Sequence, residues 1–265
     1  LTGQKQALVF VSFGVSDALA RAASLDASAA LLAQEFPAWS VQQAYTSNFI
    51  RKRLVSQGIE AYSLPELLAK LSADGFARVL IQPSHLTPGE EFDNKVIAAA
   101  AEAGPLFDEV LVGRPMFDEV ADYERVLTVV LPELKLQSGE ELVLLGHGSP
   151  HQHNPVYERL QQIADNNQLP VHVGVLEPSD TPNLAMVIDR LRQKGTKQLL
   201  LAPLLLAGGS HVTRDMAGSQ PDSWLCQLEA AGFGVRTDLR GLGEHPAFRA
   251  LYVQKVQQTL AKANG

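Results

Sequence analysis

His147, Glu177 and His211 are the residues whose types and spacing point first to chemistry. Each stands just beyond a short apolar run that reads as a buried strand. Glu141-Leu142-Val143-Leu144-Leu145 leads into Gly146-His147-Gly148-Ser149, and Val171-His172-Val173-Gly174-Val175 leads into Leu176-Glu177-Pro178. Gln198 to Ala202 leads through Pro203 and Leu204-Leu205-Leu206-Ala207-Gly208-Gly209 to Ser210-His211. The three residues lie 30 and 34 positions apart, one strand–helix unit each. Open parallel sheets bind ligands outside the carboxyl ends of their strands. Adjacent strands are about 5 Å apart, so the three side chains can converge. Two imidazoles and a carboxylate can hold a divalent first-row metal and leave coordination positions open. The same groups supply bases near neutral pH. The glycines beside His147 and before His211 let a backbone or a flat ligand approach closely.

Each residue also has a plainer reading. His147 can bond its own turn, Glu177 can cap the helix that follows, and His211 can be a first-turn helix residue. His151 and His153 read as solvated loop residues, His172 as a structural histidine within its strand, and His245 as a cap before Pro246. In the first half, His85 also follows a strand, in Gln82-Pro83-Ser84-His85-Leu86-Thr87-Pro88-Gly89-Glu90-Glu91. It has no partner at metal spacing, so a substrate-facing or axial-ligand role is the reading. Ser149 is a poor nucleophile: the Gly-x-Ser-x-Gly elbow is absent and Pro150 follows it. No glycine-rich phosphate loop is present, so no nucleotide is expected.

These positions need a scaffold of alternating strands and helices. Ala7 to Phe13, Val79 to Ile81 and Glu109 to Val112 read as further buried strands. Ser16 to Glu35, Phe117 to Val130, Val156 to Asn166, Asn183 to Lys194 and Pro246 to Ala263 read as helices. Strands apolar on both faces between helices mean parallel sheets covered on both sides. A weak internal repeat aligns Val9-Phe10-Val11-Ser12-Phe13-Gly14 with Val143-Leu144-Leu145-Gly146-His147-Gly148. It also aligns Val79-Leu80-Ile81-Gln82-Pro83 with Leu199-Leu200-Leu201-Ala202-Pro203. The expected fold is α/β, two similar lobes each built on a parallel sheet flanked by helices. The lobes are set at residues 1–134 and 135–265, with the final helix free to pack back on the first lobe.

Composition narrows the function. The chain has 265 residues, 22 Lys+Arg against 29 Asp+Glu, and a formal charge of -7. That balance, with no basic stripe, argues against a nucleic-acid partner. No stretch reaches the ~18 apolar residues of a membrane span. A single cysteine excludes a disulfide scaffold and an iron–sulfur cluster within one chain. Cysteine usage favours the cytoplasm, although a periplasmic chain with its signal removed would read the same. The patterns leave the oligomeric state open, a homo-oligomer included.

Several short motifs occur in order along nearly the whole chain. They are Val11-Ser12-Phe13-Gly14, Thr46-Ser47, Gln82 to Glu91, Gly146-His147-Gly148, Gly174-Val175-Leu176-Glu177 and Pro203-Leu204-Leu205-Leu206. Asp215-Met216-Ala217, Asp222-Ser223-Trp224 and Gly241-Leu242-Gly243-Glu244 complete the set. With these motifs the sequence resembles the anaerobic sirohydrochlorin cobaltochelatases, the small ATP-independent class of tetrapyrrole chelatases. The resemblance implies a bilobal chelatase-like fold with the tetrapyrrole in a cleft between the lobes. It implies a metal-binding and catalytic set of His147, Glu177 and His211. One departure is a slightly longer stretch around Pro178 to Thr181, which bears on the pose of Glu177. On this reading Ser12, Gly14, His85, Ser149 and Gly209 contact the substrate. Arg51, Arg53, Lys95, Arg114 and Arg214 are the cations available to its carboxylates. The expected reaction is insertion of Co2+ into sirohydrochlorin on the anaerobic route to cobalamin, with the metal as a substrate. Fe2+ or Ni2+ can replace Co2+ on the same ligands, so a ferrochelatase leading to siroheme stands as one alternative. A metal or haem carrier without turnover is another.

Overall fold

Runs that are apolar on both faces become the inner strands of two parallel sheets. The computed structural model describes residues 4–149 and 154–264. The strands are β1 (Gln6–Ser12), β2 (Ser40–Tyr45), β3 (Arg78–Pro83), β4 (Glu109–Val112), β5 (Glu140–Gly146), β6 (Val171–Val175), β7 (Gln198–Pro203) and β8 (Gly234–Thr237). They form two four-stranded sheets of the same order, β2-β1-β3-β4 and β6-β5-β7-β8, paired in parallel throughout. In β1, β3, β5 and β7 nearly every side chain is buried, because helices cover both faces.

The two sheets share a register as well as an order. Val11 faces Pro83 across β1/β3, and Leu145 faces Pro203 across β5/β7. Ser12 faces Tyr45, and Gly146 faces Val175. The backbone bonds beyond the strand ends match too. Thr46 and Ser47 N–H donate to Ser12 and Phe13 carbonyls, as Leu176 and Glu177 N–H donate to Gly146 and His147 carbonyls. Ser84 N–H donates to Val11 O at 2.8 Å, and Leu204 N–H to Leu145 O at 2.8 Å.

The chain divides into two compact units. One takes residues up to Asp118 and returns from Arg249 onward; the other is Glu119–Phe248. The helix Val120–Leu134 therefore belongs to the second unit. Most of the last helix, Pro246–Asn264, belongs to the first, where Tyr252 stacks edge-on against Phe10 at 5.1 Å and its hydroxyl donates to Ser84 O at 2.8 Å. Each unit has its own core. Val9, Val11, Leu67, Leu71, Val79 and Ile81 lead in the first, and Val143, Leu145, Leu191, Leu199, Leu201 and Trp224 in the second.

The structure revises several sequence expectations. Ser16 to Glu35 is not one regular helix: Ala18–Arg21 and Ala27–Glu35 flank a π-helical turn at Ala22–Asp26. The helix expected from Phe117 starts at Val120 and runs on to Leu134, with Pro132 inside its last turn. The edge strands β2 and β8 have no counterpart in the sequence reading; their half-exposed, partly polar residues carry no continuous apolar run. His245 is buried, with Nδ1 3.1 Å from Glu133 Oε2. The group that caps the last helix is Glu133, whose Oε1 accepts from Ala247 N–H at 2.9 Å. No helix among the described residues is long and apolar enough to cross a membrane.

Candidate metal site

The loop after β5 is shaped by what presses on it. A Cβ on Gly146 would lie 2.2 Å from the Tyr157 ring, and one on Gly148 would lie 2.9 Å from Glu177 Cβ and 3.0 Å from Val175 Cβ. Gly148 also has φ +75°, a conformation that side chains disfavour. Tyr157 Oη accepts from Gly148 N–H at 3.3 Å, and its burial pushes the phenol upward in pKa. The buried Asp180 accepts from Ser149 N–H at 2.8 Å through Oδ2 and from Thr181 N–H at 2.8 Å through Oδ1. One carboxylate thus ties the loop after β5 to the loop after β6.

His147 leaves this loop exposed to solvent. Its Nδ1 lies 3.1 Å from Gly148 O, so the turn-bonding reading and the ligand reading hold together: Nδ1–H donates to the carbonyl and Nε2 keeps its lone pair. His211 opens the π-helical segment His211–Met216, which follows the loop after β7. The His147 and His211 rings stand edge to face, with centroids 4.6 Å apart. His211 Nδ1 is 2.7 Å from Asp215 Oδ2. Arg214 Nε donates to Asp215 Oδ1 at 2.7 Å. The bond from Arg214, with that from His211, holds the Asp215 carboxyl below its usual range.

Glu177 is half-buried beside His147, to whose carbonyl its N–H donates at 2.9 Å. It caps no helix; Asn183 caps Leu184–Lys194. Its Oε1 instead accepts from Ser179 Oγ at 2.7 Å and from Ser179 N–H at 3.2 Å, and these bonds lower its pKa. Among the described residues no three His, Cys, Asp or Glu side chains are grouped closely enough to hold an ion. The two imidazoles meet, and the carboxylate beside them is turned to Ser179, within the stretch that departs from the expected spacing.

Gly209 has open space where a Cβ would be, and its carbonyl accepts from Val212 N–H at 3.0 Å. In the first unit, Gly14 has φ +102° and a Cβ there would meet Ile50 Cγ2 at 2.7 Å. Ser12 Oγ and both ring nitrogens of His85 are buried without a hydrogen-bond partner among the described residues. Burial pushes His85 down to about 4. His172 is buried against Glu141 at 3.1 Å, as a structural histidine. Arg51 is bonded to Glu66 and to Ala61 O, Lys95 to Thr46 O, Arg114 to Asp118, and Arg53 lies over the Phe49 ring. His151 and His153 lie outside the described residues. The sequence reading missed the roles of Tyr157, Asp180 and Asp215. Only Asp215 left a signal, its place four residues after His211 with Arg214 between.

The comparisons with known proteins agree along nearly the whole chain. The family model described as cobalt chelatase (CbiK) matches residues 6–261. A sirohydrochlorin cobaltochelatase of Salmonella typhimurium is 33% identical over 261 residues, covering 98% of this chain and 98% of that protein. A sirohydrochlorin cobaltochelatase, CbiKC, of Nitratidesulfovibrio vulgaris is 33% identical over 218 residues, covering 81% and 77%. Among solved structures, the sirohydrochlorin chelatase SirB of Bacillus subtilis subspecies spizizenii in complex with cobalt has a TM-score of 0.64 at 17% identity, covering 97% of this chain and 95% of that one. SirB from Bacillus subtilis with Fe3+ has the same TM-score at 16% identity, covering 99% and 98%. At such low identity these two show a shared fold.

Proposed function

The chain belongs to the cobalt chelatase family, and we propose that it inserts Co2+ into sirohydrochlorin without ATP, on the anaerobic route to cobalamin. The observation that carries this reading is the pair of imidazoles, His147 and His211, meeting at the carboxyl ends of neighbouring strands with ring centroids 4.6 Å apart. Both have Nδ1 engaged as a donor, so both offer Nε2 to one incoming cation.

The reaction exchanges one Co2+ for two pyrrole N–H protons. Co2+ sheds water as the two Nε2 atoms bind it. Glu177 adds an oxygen ligand once its carboxylate leaves Ser179. As the metal passes to the macrocycle, each imidazole that releases it regains a lone pair. Two freed imidazoles can accept the two departing protons, which balances the exchange. Ser12, Gly14, His85, Ser149 and Gly209 are proposed contacts of the tetrapyrrole. The unpartnered Ser12 Oγ and His85 nitrogens support the first and third of these. The same reading keeps the protein in the cytoplasm.

The test follows sirohydrochlorin absorbance with Co2+, Fe2+ and Ni2+ side by side, without ATP. Many turnovers with Co2+ are expected, fastest among the three metals. Faster turnover with Fe2+ would move the assignment to a siroheme ferrochelatase. Stoichiometric binding without turnover would move it to a carrier.

A further inference from the structure

His211 stands exposed on a short turn, yet its ring is held by a side chain rather than by the backbone. Resting on the reading of His211 as a metal ligand, we propose that Asp215, itself held by Arg214, is the positioning residue that fixes the ring and tautomer of His211 for Co2+.

His211 and Asp215 lie four residues apart in one π-helical segment, and such segments recur at functional sites. Val212 and Met216, from the same segment, are buried in the core of the second unit, so its backbone is anchored while His211 faces outward. A carboxylate can only accept, so the 2.7 Å contact requires the proton on His211 Nδ1 and leaves Nε2 as the bare nitrogen. A histidine whose second nitrogen donates to a carboxylate is a common metal-ligand arrangement, and the partner raises ligand basicity. Arg214 then removes the freedom of Asp215. Its Nε donates to Oδ1 at 2.7 Å and a terminal nitrogen to Oδ2 at 3.3 Å, a two-point, charge-assisted grip. Arg214 thus has its guanidinium committed to Asp215, which counts against a role in gripping substrate carboxylates.

His147 reaches the same end by another route, since its Nδ1 faces the carbonyl of Gly148. That support is backbone and survives mutation. The support of His211 is a side chain and can be removed, which makes the inference testable on one ring alone.

The experiment titrates metal-free protein with Co2+, in the absence of tetrapyrrole, and reads both Kd and the visible ligand-field spectrum. Asp215 is partly exposed, so its variants are expected to fold, and equal thermal unfolding midpoints check this. Asp215→Ala is expected to raise Kd by about 10–100-fold and to shift the Co2+ bands. Asp215→Asn, which keeps an acceptor oxygen in place, recovers part of the loss. In a His211→Ala background, Asp215→Ala is expected to change Kd by about 2-fold or less, because residues acting through one contact are not additive. An unchanged Kd and spectrum in Asp215→Ala, with Kd raised in His211→Ala, would overturn the positioning role alone. An equal loss from Asp215→Ala in both backgrounds would overturn it too. Wild-type Co2+ binding in His211→Ala would instead overturn the metal-ligand reading beneath it.

Discussion

At the carboxyl end of its first strand, one unit carries Phe13 where the other carries His147. Strand register sets the equivalence, since Val11 faces Pro83 as Leu145 faces Pro203. By the same register Ser47 stands where Glu177 does. Counting eight residues beyond Pro83 and beyond Pro203, Glu91 stands where His211 does. Both loops run into π-helical turns, Asp93–Ile97 and His211–Met216. The i,i+4 pair is Glu91 with Lys95 in one unit and His211 with Asp215 in the other. The backbones make the same bonds, so the scaffold is not what makes one sheet edge a candidate metal site. Phe13 offers no ligand, Ser47 is spent as the cap of Asn48–Ser56, and Glu91 is paired with a lysine. The contrast teaches that this fold supplies positions at strand ends, and that a few side chains decide which edge offers candidate ligands.

The contrast can be broken first at its centre. His147→Ala and Phe13→Ala change equivalent positions. The first is expected to abolish tight Co2+ binding and to slow insertion by about 100-fold or more, the second to leave Co2+ binding intact. Cobalt titration followed by absorbance assays decides it, and wild-type turnover of His147→Ala would sink the site assignment. The glycines come next. Gly14→Ala and Gly148→Ala both force a side chain into positive φ and into close contact, and each is expected to cost about 1–3 kcal/mol in urea unfolding. Only Gly148→Ala should also weaken Co2+ binding, because its added carbon pushes on Glu177. A matching loss of Co2+ binding in Gly14→Ala would blur the comparison.

Acid should separate the units more gently. His85 is neutral when folded, titrating at about 4, and takes up a proton near 6.5 when unfolded. Between these values the unfolded chain binds more protons, so stability rises with pH and is lost as pH falls from 6.5 towards 4. Replacing His85 with Phe should flatten urea midpoints across that window, and an unchanged slope would remove His85 as a cause. The smallest effect is expected from Phe13→His. One imidazole, with Ser47 and Glu91 unchanged, should give no second bound Co2+ in equilibrium dialysis; a second equivalent would show that the scaffold itself contributes to Co2+ binding.

The fully buried strands were legible because burial on both faces demands unbroken apolar runs, and β5, β6 and β7 end within about a residue of where those runs end. His147, Glu177 and His211 followed from them, since ligands gather at carboxyl strand ends. The edge strands β2 and β8 were not legible. Residues 40–43 and Gly234–Thr237 are only partly buried, and pairing with β1 and β7 makes them strands where their own composition does not.

By itself, the sequence determined the parallel α/β class, the repeat and the ends of the buried strands, and it singled out the two histidines and the glutamate as candidate ligands. These follow from hydrophobic period and residue type, which are local and additive along the chain. Tertiary structure decided the rest. It set the two imidazoles 4.6 Å apart, turned Glu177 onto Ser179, and locked the loops through Asp180 and Tyr157. It also drew most of the last helix into the first unit. The His147–His211 and Ser149–Asp180 contacts join groups more than 30 residues apart, and even the nearer pairs Gly148–Tyr157 and Glu177–Ser179 have their partners chosen by packing rather than by sequence spacing.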